Sequence, residues 1–323
     1  MNIQTILQAF VNKSIIPEEQ ATFIANYEQT KPFSLHWEVR SILYVGIVLF
    51  GSGLGVIIYE NIDTIGHQVI ITLIAALTAW CFFYTYKHAL PYSNAEVKNP
   101  KKLADYILLM GCTTFLIMEG YLQFQYNVFG TRYGLAIIIP TIIFFFCAYR
   151  FDHRGALSMA VTGLASWLGL TVAPLAILSE NDFTEDKLLG TAVFLGCMLC
   201  AVGWASVKKE IKAHFSFTYI FIGGNLAMIA CLAGMFDDKS QFGYILVGCA
   251  LAAFFILRAR SAQSLVFLLM GVVYSYVIIT YLIFSALGAT DAASFLATFY
   301  FLFTSIGVIY FLLNFKKFLG IKK

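Results

Sequence analysis

Residues 188–209 read LLGTAVFLGCMLCAVGWASVKK, a run of 20 uncharged residues that ends in two lysines. A helix needs about 20 predominantly apolar residues to cross the hydrocarbon core of a bilayer. The run is therefore long enough to form a transmembrane helix. Lys208 and Lys209 mark its second end as the cytoplasmic one, because short loops that carry Lys and Arg resist translocation.

Nine more apolar runs of similar length lie along the chain. The ten candidate spans cover residues 41–59, 66–86, 104–126, 132–149, 155–178, 188–207, 215–235, 242–257, 264–285 and 294–314. Of the 323 residues, 60% are hydrophobic and only 12% are charged, a composition far from that of a soluble domain. The sequence therefore predicts an all-α fold, a polytopic integral membrane helical bundle of about ten transmembrane helices.

The positive charges lie almost entirely in alternate loops. All 21 Lys and Arg residues except Arg132, Lys187 and Lys239 fall on one predicted side of the membrane. The positive-inside rule assigns that side to the cytoplasm, and an even number of spans places both termini there. We therefore expect a multi-pass protein of the cell inner (cytoplasmic) membrane. Because the charges form no basic stripe, binding to nucleic acid is not expected.

Residues 1–35 form a separate unit before the first span. Apolar residues recur at helical spacing from Ile3 to Val11, and a second helix is predicted to open at Pro17. Two short amphipathic helices cannot bury their apolar stripes alone, so we expect a cytoplasmic helical hairpin. It is either a simple cap on the bundle or a module that recruits a partner. The remaining chain is then a transmembrane domain, 41–314, and a basic cytoplasmic tail, 315–323.

The hairpin and the first span carry a family resemblance. Residues 14–24 read SIIPEEQATFI, Arg40 follows, and residues 43–63 read LYVGIVLFGSGLGVIIYENID. Together they resemble the predicted bacterial membrane proteins of domain-of-unknown-function family two-one-five-seven, DUF2157. That family has a helical hairpin before a glycine-rich first span that ends in an Asn-Trp pair, whereas Asn61 is followed here by Ile62. The resemblance covers roughly residues 1–90 and implies a polytopic inner-membrane protein, with no known activity or site residues.

Glu119 is an acidic residue well inside the third predicted span. A carboxylate in the hydrocarbon core costs about 2.5–3.5 kcal/mol on insertion scales, so its side chain should face the bundle interior and find a partner or stay protonated. Gln123 lies one turn further along, and Tyr126 follows on the same face. This polar stripe is either a proton or cation site or a structural group near the outer interface.

Asn225 lies near the middle of the seventh span, directly after Gly223 and Gly224. An amide at that depth must form a hydrogen bond with another helix, and the two glycines allow that helix to approach closely. The residue is therefore a candidate for the same polar site as Glu119 and Gln123. The alternative is a hydrogen bond that only holds two helices together.

Two prolines and two glycines predict special helix geometry. Pro140, in the fourth span, and Pro174, late in the fifth, each free a backbone carbonyl and are candidate helix breaks. Gly51 and Gly55 form a GxxxG pair in the first span. Such a pair predicts a close helix contact, either within this chain or between two chains.

The sequence contains no catalytic constellation. Cys197 and Cys200 have CxxC spacing, but they lie in the middle of a span without a basic neighbour or a second cysteine pair. The histidines lie near the span ends, so no two of them could hold a haem at mid-membrane. We therefore expect no enzyme activity, no metal site and no cofactor.

Two functions remain open. The leading hypothesis is a transporter or permease-like protein for a small solute, with Glu119, Gln123 and Asn225 in or near the pathway and proton coupling through Glu119. Ten spans divide into two sets of five and permit an inverted repeat, a topology similar to that of the drug/metabolite transporter superfamily. The alternative is a non-transporting membrane scaffold or sensor whose hairpin, 1–35, recruits a cytoplasmic protein partner. The expected partners are the lipid bilayer and either a solute or proton or that protein; the oligomeric state is open.

Overall fold

The computed structural model describes residues 7, 10–12, 15–30, 36–97, 99, 101–130, 132–172, 186–236, 241–288 and 291–320. The chain divides into two compact units, Met1–Gly53 and Leu54–Lys323. All regular structure in the described residues is helical. Most of the first predicted hairpin helix, from Ile3 to Val11, and the whole surroundings of Pro174 lie outside the described residues.

Eleven α-helices, with a short 3-10 helix at Ala213–Phe215, form most of the described fold. They are α1 (Glu18–Thr30), α2 (His36–Ile65), α3 (His67–Lys87), α4 (Lys102–Tyr126), α5 (Tyr133–Phe151), α6 (Arg154–Val172), α7 (Asp186–Lys208), α8 (Ser216–Gly234), α9 (Gln241–Ala262), α10 (Leu265–Leu287) and α11 (Asp291–Phe318). Each of the ten predicted spans coincides with one helix from α2 to α11, so the predicted polytopic helical fold is confirmed.

Eight of these helices, α3 to α10, are long and apolar enough to cross a membrane. The described apolar parts of α2 and α11 are shorter, Ser41–Ile57 and Phe295–Phe311. The eighth span was predicted to end at residue 257, but α9 continues to Ala262. The helix does not stop at its first arginine because long cationic side chains can extend from an apolar stem towards water.

In the first unit, α1 begins directly after Pro17, as the sequence predicts. The Pro17 carbonyl accepts hydrogen bonds from the N–H groups of Gln20 and Ala21, each at 3.1 Å. Glu18 and Glu19 occupy the first turn, where a negative charge is favoured by the positive end of the helix dipole. The helix start is therefore set by local chemistry that the sequence alone reveals.

The second unit is built from pairs of consecutive helices. The closest packing is between α3 and α4, α5 and α6, α7 and α8, and α9 and α10, and α8 also packs on α9. One buried core joins α4–α8 and a second joins α8–α10 with part of α11. In an inverted repeat of five spans, α10 and α11 would pack as closely as α5 and α6 do. In the described residues their backbones lie further apart, and they meet through side chains such as Thr280 and Tyr300, whose hydroxyls are 2.6 Å apart. The packing therefore does not repeat between the two halves.

The closest helix contact of the second unit is made by glycines that the sequence analysis did not single out as a pair. A methyl group on Gly196 of α7 would lie 2.7 Å from the Ala227 Cβ of α8. One on Gly223 would lie 2.5 Å from the Leu199 Cβ. A methyl group on Gly55, by contrast, meets no described atom within 4 Å. The close contact expected at Gly55 is therefore not formed among the described residues, because none of their helices lies against that side of α2. Gly51, the other glycine of the GxxxG pair, is buried.

Pro140 does not break α5. The helix runs without interruption from Tyr133 to Phe151, and Pro140 is buried inside it. The hydroxyl of Thr141, the next residue, donates a 2.7 Å hydrogen bond to the Ile137 carbonyl in the preceding turn of the same helix. The helix break expected at Pro140 is therefore wrong.

Candidate functional site

Glu119 is a buried carboxyl group without a described partner. It lies in α4 with 6% of its surface exposed, and neither carboxylate oxygen has a hydrogen-bond partner among the described residues. It follows Cys112 by seven residues and Leu108 by eleven, so the three share one helix face. Because Cys112 and Leu108 belong to the core against α5 and α6, Glu119 lies on the interior side of α4.

Gln123 serves the turn after α4 instead of extending a polar stripe from Glu119. Its amide nitrogen donates to the Asn127 Oδ1 and to the Gly130 carbonyl, both at 3.0 Å. Its amide oxygen accepts the Phe129 N–H at 2.9 Å. All these bonds close the short turn between α4 and α5, which the sequence analysis did not anticipate. The signal that could have shown it is a Gln placed just before a turn that contains Asn and Gly.

The C-terminal end of α4 carries a second polar group, of which Glu119 is not a member. The Tyr121 hydroxyl lies 2.6 Å from Nδ1 of His67, at the start of α3. The Gln125 amide nitrogen lies 3.2 Å from Nε2 of the same ring, and the Tyr126 ring stands edge-on to it. Tyr126 therefore joins a cluster between α3 and α4 and does not continue the stripe from Glu119.

Asn225 holds two helices together. The Tyr274 hydroxyl of α10 donates a 2.6 Å hydrogen bond to the Asn225 Oδ1 of α8. The amide nitrogen donates to the Phe221 carbonyl of its own helix at 2.7 Å. Both ends of the amide are thus satisfied, and the structure does not bring Asn225 together with Glu119 or Gln123.

A buried ion cluster, which the sequence analysis missed, lies at the ends of α5 and α7. The Asp152 Oδ1 is 3.1 Å from the Lys212 Nζ and 2.5 Å from the His214 Nε2. The Val97 N–H donates to the other carboxylate oxygen at 2.5 Å. The side chains of Asp152, Lys212 and His214 are at most 9% exposed. We call these three side chains the Asp152 cluster.

The Asp152 cluster ties together three connections that are far apart in sequence. Asp152 ends α5 in the left-handed region, at φ 58°, and Lys212 also adopts a positive φ of 49°. The Lys212 N–H donates to the Asn94 carbonyl at 2.8 Å, and its Nζ lies 4.9 Å from the centre of the Tyr92 ring. A lysine rarely adopts this backbone conformation, so the contacts at both ends of Lys212 are what hold it there.

The surroundings of the cluster are polar and closely packed. The Arg150 guanidinium donates to the Leu90 carbonyl at 2.8 Å, and the exposed pair Arg154–Glu96 is 3.0 Å apart. A cavity of about 20 Å³ lies beside Asp152. That volume holds about one water molecule, so the Asp152 cluster is a closely packed contact between loops and not a pocket for a solute.

The sequence signal for this cluster was the acid itself. Asp152 stands between Arg150 and Arg154 in a loop where every charge was counted only for orientation. A lone acid among basic residues at a helix end is a candidate for a structural ion pair. Lys212 and His214 could not be assigned as its partners, because they lie about 60 residues further along the chain.

A large apolar cavity lies between α6, α7 and α8. Its volume is about 640 Å³, and it is bounded by residues 165–170 of α6, 188–195 of α7 and 226–233 of α8, with Ile137 from α5. Neither this cavity nor the small one beside Asp152 is lined by Glu119, Gln123 or Asn225. This apolar cavity is therefore separate from the polar residues selected from the sequence.

The described residues contain no group of three or more His, Cys, Asp and Glu side chains arranged to hold a metal ion. All seven cysteines are free thiols, and Cys197 and Cys200 lie within α7. The described side chains can therefore hold protons and form ion pairs, but they contain no set of metal ligands.

The comparisons with known proteins give one match. Residues 8–157 match a family described as "Predicted membrane protein (DUF2157)". The resemblance noted in the sequence is thereby confirmed, and it extends beyond residue 90 to include both Glu119 and Asp152. No curated protein and no solved structure matches the chain.

Proposed function

Residues 8–157 match the DUF2157 family of predicted membrane proteins, and we propose that this chain is a proton-coupled transporter or permease-like protein for a small solute. It would act in the inner (cytoplasmic) membrane and carry out no enzymatic step. The observation that carries the proposal is Glu119, a buried carboxyl with both oxygens unpaired among the described residues.

The physical argument rests on the cost of burying a charge. An ionised carboxylate inside the membrane needs a counter-charge or several hydrogen-bond donors, and Glu119 has no described partner of either kind. It is therefore neutral at rest, and it loses its proton only when a cationic or hydrogen-bonding solute, or water, reaches it. A group whose charge depends on what lies beside it is suited to couple proton movement to solute binding.

The geometry restricts the proposed proton site to one residue. Gln123 is fully occupied by the turn after α4, and Asn225 is occupied by Tyr274. Neither has a free polar atom that is directed towards Glu119. The transport role therefore falls on Glu119, and the other two residues are assigned structural roles.

Proton entry into proteoliposomes tests the proposal. Vesicles with a trapped pH-sensitive dye receive an acid pulse outside, with and without a mixture of amino acids, sugars and organic cations. The wild-type protein should acidify the lumen faster when the mixture is present, and Glu119→Gln should abolish the difference. Glu96→Gln is the matched control, because Glu96 is an exposed loop carboxyl.

Two results would contradict the proposal. One is equal proton entry for the wild-type protein and Glu119→Gln. The other is a loss of thermal stability in Glu119→Gln as large as its loss of flux, which would identify Glu119 as a structural carboxyl. Glu119→Asp keeps a titratable carboxyl group. A flux through Glu119→Asp that exceeds the flux through Glu119→Gln would support the proton-coupling role of Glu119.

One observation favours the scaffold or sensor function as a second candidate. In the first unit, Phe23 is 72% exposed and Ile15 is 61% exposed. Phe23 lies on α1 and Ile15 just before it, and large exposed apolar side chains at such a short helix are suited to bind a partner protein. Deleting the hairpin, residues 1–35, should leave proton entry largely intact if the chain transports, and should abolish recruitment of a cytoplasmic protein if it is a scaffold.

A further inference from the structure

The 640 Å³ cavity is a groove that runs along the helices. Its walls extend over residues 188–195 of α7 and 226–233 of α8, seven residue steps in each case. At 1.5 Å per residue, the groove is about 10 Å long and parallel to the helix axes. It separates the α5–α6 pair from the α7–α8 pair, which pack much more closely within each pair than with each other.

Small side chains create the groove. Ala165 and Gly169 of α6 face Ala192 of α7 and Ala230 and Ala233 of α8 across it. Protein interiors normally have few voids larger than a water molecule, because facing side chains interdigitate. A space of this size between two helix pairs is therefore not left empty in a membrane, and its occupant must match the walls.

The chemistry of the walls selects an apolar occupant. The described lining contains two hydroxyl groups, and both already donate within their own helices. Ser166 bonds the Thr162 carbonyl at 3.1 Å, and Thr191 bonds the Lys187 carbonyl at 2.5 Å. A polar solute would find no free donor there and only two hydroxyl oxygens that could accept, so most of its lost hydration would not be compensated.

We infer that the groove binds one acyl chain of a bilayer phospholipid, which fills the gap between the α5–α6 and α7–α8 pairs. The groove is apolar, elongated along the helices and lies within segments that are apolar enough to span the membrane, where acyl chains are the surrounding medium. The bound chain packs against both helix pairs and so holds them together. This inference does not depend on the role proposed for Glu119.

A substitution that fills the groove with a side chain tests whether an acyl chain binds there. Ala192→Phe places a large ring in the groove, and Ala201→Phe is the matched control because Ala201 is an exposed residue of the same helix. Each purified protein is stripped of lipid in detergent, and its unfolding temperature is measured before and after a long-chain phosphatidylcholine is added. The wild-type protein and Ala201→Phe should be stabilised by the lipid, and Ala192→Phe should lose most of that stabilisation.

Photochemical labelling distinguishes the occupants and works even if Ala192→Phe fails to fold. A phosphatidylcholine with a diazirine in its acyl chain should label the wild-type protein preferentially on peptides that contain residues 165–170, 188–195 and 226–233. Labelling spread evenly over all lipid-facing helices would overturn the inference, as would labelling of the groove by a free diazirine fatty acid but not by the phospholipid. Equal lipid stabilisation of Ala192→Phe and Ala201→Phe would also overturn it.

Discussion

Removing the negative charge of Asp152 should destabilise the protein more than removing the positive charge of Lys212. The two charged groups lie 3.1 Å apart and are almost fully buried. At an effective dielectric constant of about 20, Coulomb's law gives about 5 kcal/mol for unit charges at that distance. The measurable loss is smaller, because each group also loses the cost of its own desolvation when it is neutralised.

The contacts predict the order of the single variants. Asp152→Asn leaves the Lys212 ammonium buried beside a neutral amide, and breaking a buried pair in this way costs about 3–5 kcal/mol. Lys212→Met leaves the Asp152 carboxylate with the His214 ring and the Val97 N–H. Two donors remain for the anion, so we expect a smaller loss of about 1–3 kcal/mol.

The double variant isolates the interaction. Asp152→Asn combined with Lys212→Met removes both buried charges and should be more stable than Asp152→Asn alone. The free energy of unfolding can be measured for all four proteins by titration with sodium dodecyl sulfate in mixed micelles. Glu96→Gln with Arg154→Met serves as the control cycle, because that ion pair is exposed and should couple by less than about 1 kcal/mol. Additive losses for Asp152 and Lys212 would refute the claim that their charges stabilise each other.

Two further variants test the packing of the second unit. Gly196→Ala should destabilise the protein by about 1–3 kcal/mol in the same unfolding assay, because the added methyl group meets α8. Gly55→Ala, whose methyl group meets open space, should be neutral or stabilising, and equal losses for both would contradict the close contact. Tyr274→Phe removes the bond to Asn225 and should cost about 0.6–1.7 kcal/mol, whereas Tyr310→Phe, which changes an exposed ring, should cost nothing measurable.

The helices could be predicted from the sequence because the bilayer acts on each segment separately. A span must satisfy its backbone internally and must be apolar over its length, and both conditions can be read from 20 consecutive residues. The end of α9 shows where this breaks down: Arg258 and Arg260 mark the loss of hydropathy, but the helix continues through both. Hydropathy reports the medium around a side chain, whereas the end of a helix is set by backbone hydrogen bonds.

The polar residues within the spans show why the site was harder to predict. Glu119, Gln123 and Asn225 gave the same signal, a polar group in an apolar run. Only Glu119 lacks described partners; the other two are satisfied by a nearby turn and by Tyr274 on a distant helix. A sequence shows that a buried polar group needs a hydrogen-bond partner, but which residue becomes the partner depends on tertiary packing. A buried polar group that the fold leaves without a partner is the better candidate for function.

The charges at the helix ends take part in two processes at different times. During insertion, Lys212 would add to the positive charge that the positive-inside rule predicts to keep this loop in the cytoplasm. After the helices have packed, the same ammonium is buried against Asp152 and no longer contributes to the surface. Lys208 and Lys209 of the same loop remain exposed, so Lys212→Met should weaken folding without inverting the topology. Accessibility labelling of single cysteines introduced near Lys208 would show an inverted topology directly, and that result would mean that Lys208 and Lys209 do not suffice to orient the loop without Lys212.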